Sequence, residues 1–157
     1  EEMEARLPWR ILKYEMVEDF TGEGQWRGGP GIHWEAVNEG SDGQMATGSS
    51  DGDVVQGFGA QGGNPSPVCR TYIDRGDERI RVKPHRMVDV KEGDIIIKQS
   101  SGGGGVGYPA DRDPEMVLED VINELVSIKA AREIYKVEID LETKTINEVE
   151  TKKLRAA

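Results

Sequence analysis

Four consecutive glycines, Gly102, Gly103, Gly104 and Gly105, sit inside the stretch SGGGGVGYPADRDP at residues 101–114. No regular element selects such a run. Without a Cβ, glycine reaches positive φ and lets backbone N–H groups approach another surface or a ligand. The strand-like DIIIK of residues 94–98 comes just before, and a helix start, Asp113-Pro114-Glu115, just after. Strand, glycine loop, helix is the order of many anion-binding loops. Two further clusters repeat the theme. Residues 19–31 place five glycines around Trp26 and Arg27, and residues 57–65 read GFGAQGGNP.

Between these clusters the pattern is that of short strands. Residues 11–17, 32–37, 68–73, 79–83, 87–90 and 94–98 alternate or run apolar as strands do. Ile32, Trp34 and Ala36 fall on one face of their strand, and His33, Glu35 and Val37 on the other. Residues 38–67 are the least regular, rich in Gly, Ser and Asp; short strands are expected near 44–47 and 54–58. After the glycine run the character becomes helical. Asp113 suits an N-cap and Pro114 the first helical position. Val117, Leu118, Val121, Ile122 and Leu125 form one apolar stripe. Ser127 caps a second short helix through about Tyr135. Residues 137–139 read as a short strand. Asn147 followed by Glu150 starts a last helix. The fold class is therefore α+β: short, mostly antiparallel strands with glycine-rich loops, then a small C-terminal helical segment. Residues 1–110 form a β-rich glycine-loop region and residues 111–157 a helical region, together one structural domain.

Composition removes several function classes. The formal net charge is −10, which opposes nucleic acid or an anionic membrane as partner. One cysteine, Cys69, allows neither an internal disulfide nor a cysteine-rich zinc site. A reducing, cytoplasmic setting fits. No stretch approaches the roughly 20 apolar residues of a membrane span.

Few residues carry chemistry of their own. The glycine run has no following Gly-Lys-Ser/Thr, so the phosphate-loop pattern of an ATP site is absent. Arg27 reads either as a fork donor to a carboxylate or phosphate, or as half of a structural ion pair. His33 and His85 are the only histidines, each a weak candidate for a base. His33 reads more readily as a hydrogen-bonded strand residue, and His85, after Pro84, as a turn residue. Their spacing gives no metal cluster. Asp113 reads as a cap and Arg112 as a tie on the glycine loop through a salt bridge. Arg79, Arg81 and Lys83 share one strand face, where such charges usually block edge pairing. Cys69 reads as a buried small side chain. By residue chemistry alone the chain lacks a self-contained active site.

A series of motifs in fixed order resembles the C-terminal part of the hydantoinase B family, which includes subunits of ATP-dependent ketone carboxylases and half of 5-oxoprolinase. The motifs are WRGGPG (residues 26–31), GAQGGNP (59–65), KEGDIIIK (91–98), SGGGGVGYP (101–109), DRDPEMVLEDV (111–121), LVSIKAAREIYKV (125–137) and the ending TKKLRAA. There are departures. The family's Gly-Tyr-Gly-Asp-Pro becomes Gly105-Val106-Gly107-Tyr108-Pro109, with loss of an acid. Its Asp-Ser-Gly-Gly becomes Asp19-Phe20-Thr21-Gly22, and its Tyr-Gly-Val becomes Tyr135-Lys136-Val137. The resemblance implies an ATP-dependent carboxylase of the acetophenone or acetone type, of which this chain is a small subunit packed on a larger one. It implies hydantoinase A-like and hydantoinase B-like partners, with ATP and a divalent metal held by those partners and no cofactor held by this chain. Gly28, Gly29 and Gly102 to Gly105 would then approach substrate or phosphate. A cyclic-amide hydrolase of the hydantoinase or oxoprolinase type, and a purely structural assembly subunit, are the alternatives.

Overall fold

The computed structural model describes residues 2–47 and 51–156. Its elements run α1 (Glu2–Arg6), β1 (Trp9–Val17), β2 (Gly31–Asn38), β3 (Gly43–Thr47), β4 (Arg70–Arg75), β5 (Glu78–Val82), β6 (Arg86–Val90), β7 (Ile95–Ser100), α2 (Pro114–Ile122), α3 (Ile128–Glu133), β8 (Ile139–Asp140), β9 (Thr145–Ile146) and α4 (Glu148–Ala156). This is the α+β class expected from the sequence, with antiparallel pairs prevailing.

Two compact units emerge. The first holds residues 1–15, 32–55 and 68–100. Its main sheet has the order β1-β2-β7-β4-β5. Strand β7 lies antiparallel between β2 and β4, with Ala36 opposite Ile96 and Ile96 opposite Ile73. These small and branched residues share the pleat side that Trp34 also faces. There Ile73, Val82, Val90 and Ile96 form a buried cluster, joined by Trp9, Trp34, Met45, Ile80 and Val88. A separate hairpin-like pair, β3 with β6, supplies Met45, Val88 and Val90. The β4–β5 connection is tight: Gly76 adopts φ 57°, which glycine accepts without a Cβ clash. The turn into β7 is organised by Asp94. Its carboxylate takes the Lys91 N–H at 2.8 Å and the fork of Arg75 at 2.6–3.2 Å. Arg75 holds the Asp94 carboxyl below the usual carboxylate range.

The second unit holds residues 16–31, 56–67 and 101–157. Its apolar cluster is helical: Val117, Val121, Val126, Ala130, Ala131, Tyr135, Val137 and Ile139 are buried together, with Leu118, Ile128, Ile134 and Ile146 against them. The caps are those the sequence indicates. Asp113 accepts from the Glu115 N–H, Ser127 from Ala130, and Asn147 from Glu150.

Four readings need correction, the first being the strand expected over residues 137–139, which is found at Ile139–Asp140. Residues 54–58 form no strand; Asp51–Asp53 is a short 3-10 turn, and Val54, Val55 and Phe58 are exposed. Helix α2 stops at Ile122, before Leu125, because Glu124 turns left-handed at φ 57°. The strand expected over residues 68–73 is displaced to Arg70–Arg75. Among the described residues no helix is long and apolar enough to cross a membrane.

Candidate functional site

The three glycine clusters meet. In the second unit, segments around residues 20–31, 57–66 and 101–107 lie side by side and exchange backbone hydrogen bonds. The Gly22 N–H donates to the Gly103 carbonyl at 2.7 Å, and Gly103 N–H to Gly29 at 3.0 Å. Gly105 N–H donates to Asn64 and Ala60 N–H to Gly105, each at 2.9 Å. Trp26 and Val106 exchange both their bonds at 2.9 Å. Glycine is demanded here by contact. A Cβ on Gly28, Gly63, Gly102, Gly104 or Gly105 would fall under 3.0 Å from a backbone carbonyl of a neighbouring segment. None of Gly102 to Gly105 has a left-handed φ; among these segments Gly62 and Gly107 do. The glycine run therefore packs backbone on backbone, and the N–H groups of Gly103 and Gly105 are committed to carbonyls of the chain itself. Gly29 differs, with open space where a Cβ would stand.

Charged side chains clamp this bundle to α2. Arg27 presents its fork to Asp120, Nε to Oδ2 at 2.9 Å and the terminal nitrogen to Oδ1 at 2.8 Å. Its remaining nitrogen donates to the Gly28 carbonyl at 3.0 Å. Arg112 donates to Asp120 Oδ2 at 2.8 Å and to the Gln25 carbonyl at 3.0 Å. Asp120 is 5% exposed, so a buried carboxylate is balanced by two guanidiniums that also hold its lone pairs. The paired carboxylate raises the Arg27 pKa. Arg112 thus ties residue 25 and α2 together, through Asp120 rather than through the glycine run. The Tyr135 ring lies fully buried in the helical cluster, and burial pushes its hydroxyl pKa well up.

The two histidines lie elsewhere, in the first unit. His33 is 2.6 Å from the Glu35 carboxylate through Nε2 and 3.4 Å from Gln99 through Nδ1. A carboxylate only accepts, so the Nε2–H points to Glu35 and Nδ1 takes the Gln99 amide. The neighbouring face holds Tyr72, with the Arg79 and Arg81 guanidiniums 5.7 and 5.2 Å from its ring centre. Arg79 forks onto Asp74 at 2.7 Å. His85 occupies the bend before β6 at φ 55°. Cys69 is buried. Thus Arg27 and Arg112 come together on Asp120. Among the described residues no group of three or more metal-type ligands forms.

The hub that sequence reasoning passed over is Asp120. A signal was present: it lies three residues after Val117 and one before Val121, on the buried side of α2, where an acid needs a partner.

The hydantoinase B/oxoprolinase family profile matches residues 1–109, and the chain belongs to that family. It is 33% identical over 159 aligned positions to an uncharacterized protein of Methanocaldococcus jannaschii, covering 99% of this chain and 28% of that protein. Caprolactamase subunit beta of Pseudomonas jessenii is 32% identical over 144 positions, covering 88% of this chain and 24% of that subunit. The acetophenone carboxylase delta subunit of Aromatoleum aromaticum is 36% identical over 76 positions, 48% of this chain and 10% of that one. Among solved structures, nucleotide-free acetone carboxylase superposes with a TM-score of 0.77 at 20% identity, over 98% of this chain and 25% of that one. The ATP-dependent caprolactamase of Pseudomonas jessenii gives 0.69 at 28% identity, over 98% and 27%. The chain spans about a quarter of the length of the first two relatives.

Proposed function

We infer that this chain works within the hydantoinase B-type component of an ATP-dependent enzyme complex, and that the complex opens a cyclic amide. The observation that carries the reaction class is the similarity to caprolactamase subunit beta, which extends over 88% of the chain. A hydantoinase A-type partner binds ATP and a divalent metal. Phosphorylated intermediates hydrolyse in water, so their chemistry needs a closed, rigid enclosure. The chain contributes rigid wall: interlocked glycine segments and the Arg27–Asp120–Arg112 clamp, in which the polar groups are already engaged with one another. Ketone carboxylation is the second reading, favoured by the 36% identity to the acetophenone carboxylase delta subunit over 48% of the chain.

The test is to co-express the chain with hydantoinase A-type and B-type subunits from its own source and supply ATP. Lactam ring opening coupled to ADP release, independent of bicarbonate, supports the first reading. ADP release that requires both ketone and bicarbonate supports the second. A stoichiometric complex with neither activity removes both and leaves an assembly role.

A further inference from the structure

Strand β1 ends the five-stranded sheet, so among the described residues one side of its backbone has no ladder partner. It is nine residues long, contains no proline and is exposed over most of its length. Edge strands of this kind are templates for pairing. Leu12, Tyr14 and Met16 line one face, with 41%, 68% and 62% of their surface exposed. On the other face Lys13 and Glu15 sit 2.7 Å apart. The Ile11 N–H is taken by the Glu4 carboxylate at 2.8 Å instead of by the sheet. Strand alternation then turns the N–H and C=O groups of Lys13 and Glu15 to the same open side.

The order of side chains selects an occupant. We propose that β1 pairs antiparallel with β1 of a second copy of this chain, about a twofold axis at Tyr14. In that register Lys13 lies opposite the second copy's Glu15, and Glu15 opposite its Lys13. Leu12 lies opposite Met16, and Ile11 opposite Val17. Only registers that move in even steps keep each side chain on its own face. One such step in either direction sets Lys13 against Lys13 or Glu15 against Glu15, and like charges directly opposite are unfavourable. The charge pattern therefore fits one self-pairing register, and its twofold makes the contact isologous. By the same alternation the Tyr14 backbone groups turn away from the open side, so the two Tyr14 residues form a non-hydrogen-bonded pair with Cα atoms about 4.5 Å apart. The two apolar stripes merge into one across the axis.

Sedimentation velocity on the full chain, with and without its partner subunits, tests this. A species of twice the protomer mass is expected. Tyr14→Lys and Lys13→Glu each weaken it by about tenfold or more, equivalent to about 1.4 kcal/mol. The exchange Lys13→Glu with Glu15→Lys restores it. Tyr14→Cys gives a covalent dimer on oxidation, since about 4.4–6.8 Å between Cα atoms suits a disulfide; Leu12→Cys, opposite Met16, does not. These side chains are exposed, and circular dichroism checks that each variant folds. A monomer at every soluble concentration overturns the proposal. So does a dimer indifferent to Tyr14→Lys, or a β1 edge covered by a strand of a different subunit.

Discussion

The sheet unit and the glycine-rich segments of the second unit are held by opposite kinds of packing. In the sheet unit, branched side chains such as Ile73, Val82 and Ile96 fill the interior. Around Gly28, Gly63 and Gly105, backbone meets backbone with no side chain between. A side-chain core has rotamers and can partly relax around a change of shape. A backbone interface has neither, and each segment also depends on its neighbours for hydrogen bonds. The same chain therefore contains one interior that tolerates substitution and one that does not.

The sharpest way to break that comparison is Gly63→Ala. Its Cβ would fall under 3.0 Å from the Gly105 carbonyl, and a loss of more than about 4 kcal/mol is expected, at the exceptional end for single substitutions. Chemical denaturation followed by circular dichroism measures it. If Gly63→Ala is tolerated as well as a core swap, the distinction fails. Next comes Asp120→Asn, which leaves Arg27 and Arg112 without their shared anion. Removing one member of a buried ion cluster is expected to lower stability by about 3 kcal/mol, read from the same denaturation curve.

A third test compares acid sensitivity. The Asp94 carboxyl has a folded pKa below its unfolded value because Arg75 binds the charged form. Its contribution is therefore complete above the unfolded pKa, near 4, and is lost as pH falls through the lower folded value. Asp94→Asn should flatten the acid limb of the stability curve below about pH 4 while lowering stability at neutral pH. An unchanged limb would assign acid sensitivity to other carboxylates. In the sheet core, Ile96→Val should lower stability by only about 1 kcal/mol. A gain of comparable size is expected from Lys136→Gly. Lys136 stands at φ 58°, where a left-handed backbone costs a side-chain-bearing residue about 1 kcal/mol, and where the family resemblance places glycine. The smallest effect belongs to Gly29→Ala, with open space around the added methyl. It should stay within about 0.5 kcal/mol, although Gly28 beside it cannot change.

Much of the local structure was legible. The Asp113-Pro114 start of α2 and the Ser127 and Asn147 caps are readable because a cap is decided by a few adjacent residues. The strand faces at Ile32 to Val37 follow from a period of two. Reading failed where the answer lay at a distance. Residues 54–58 carry the apolar Val54, Val55 and Phe58 of a short strand, yet these side chains are exposed and join no strand. Arg27 left two readings open because its carboxylate is 93 positions away.

From the sequence alone came the α+β class, the helix caps and the three glycine clusters. Local preference and chemical type act over a few residues, so each of these is written where it operates. Only the tertiary structure decided that the three clusters pack on one another, that Asp120 balances Arg27 and Arg112, and that β7 lies between β2 and β4. The physical reason is that a buried charge and a backbone packed on backbone are satisfied by whichever segment arrives beside them, and chain order does not specify that neighbour.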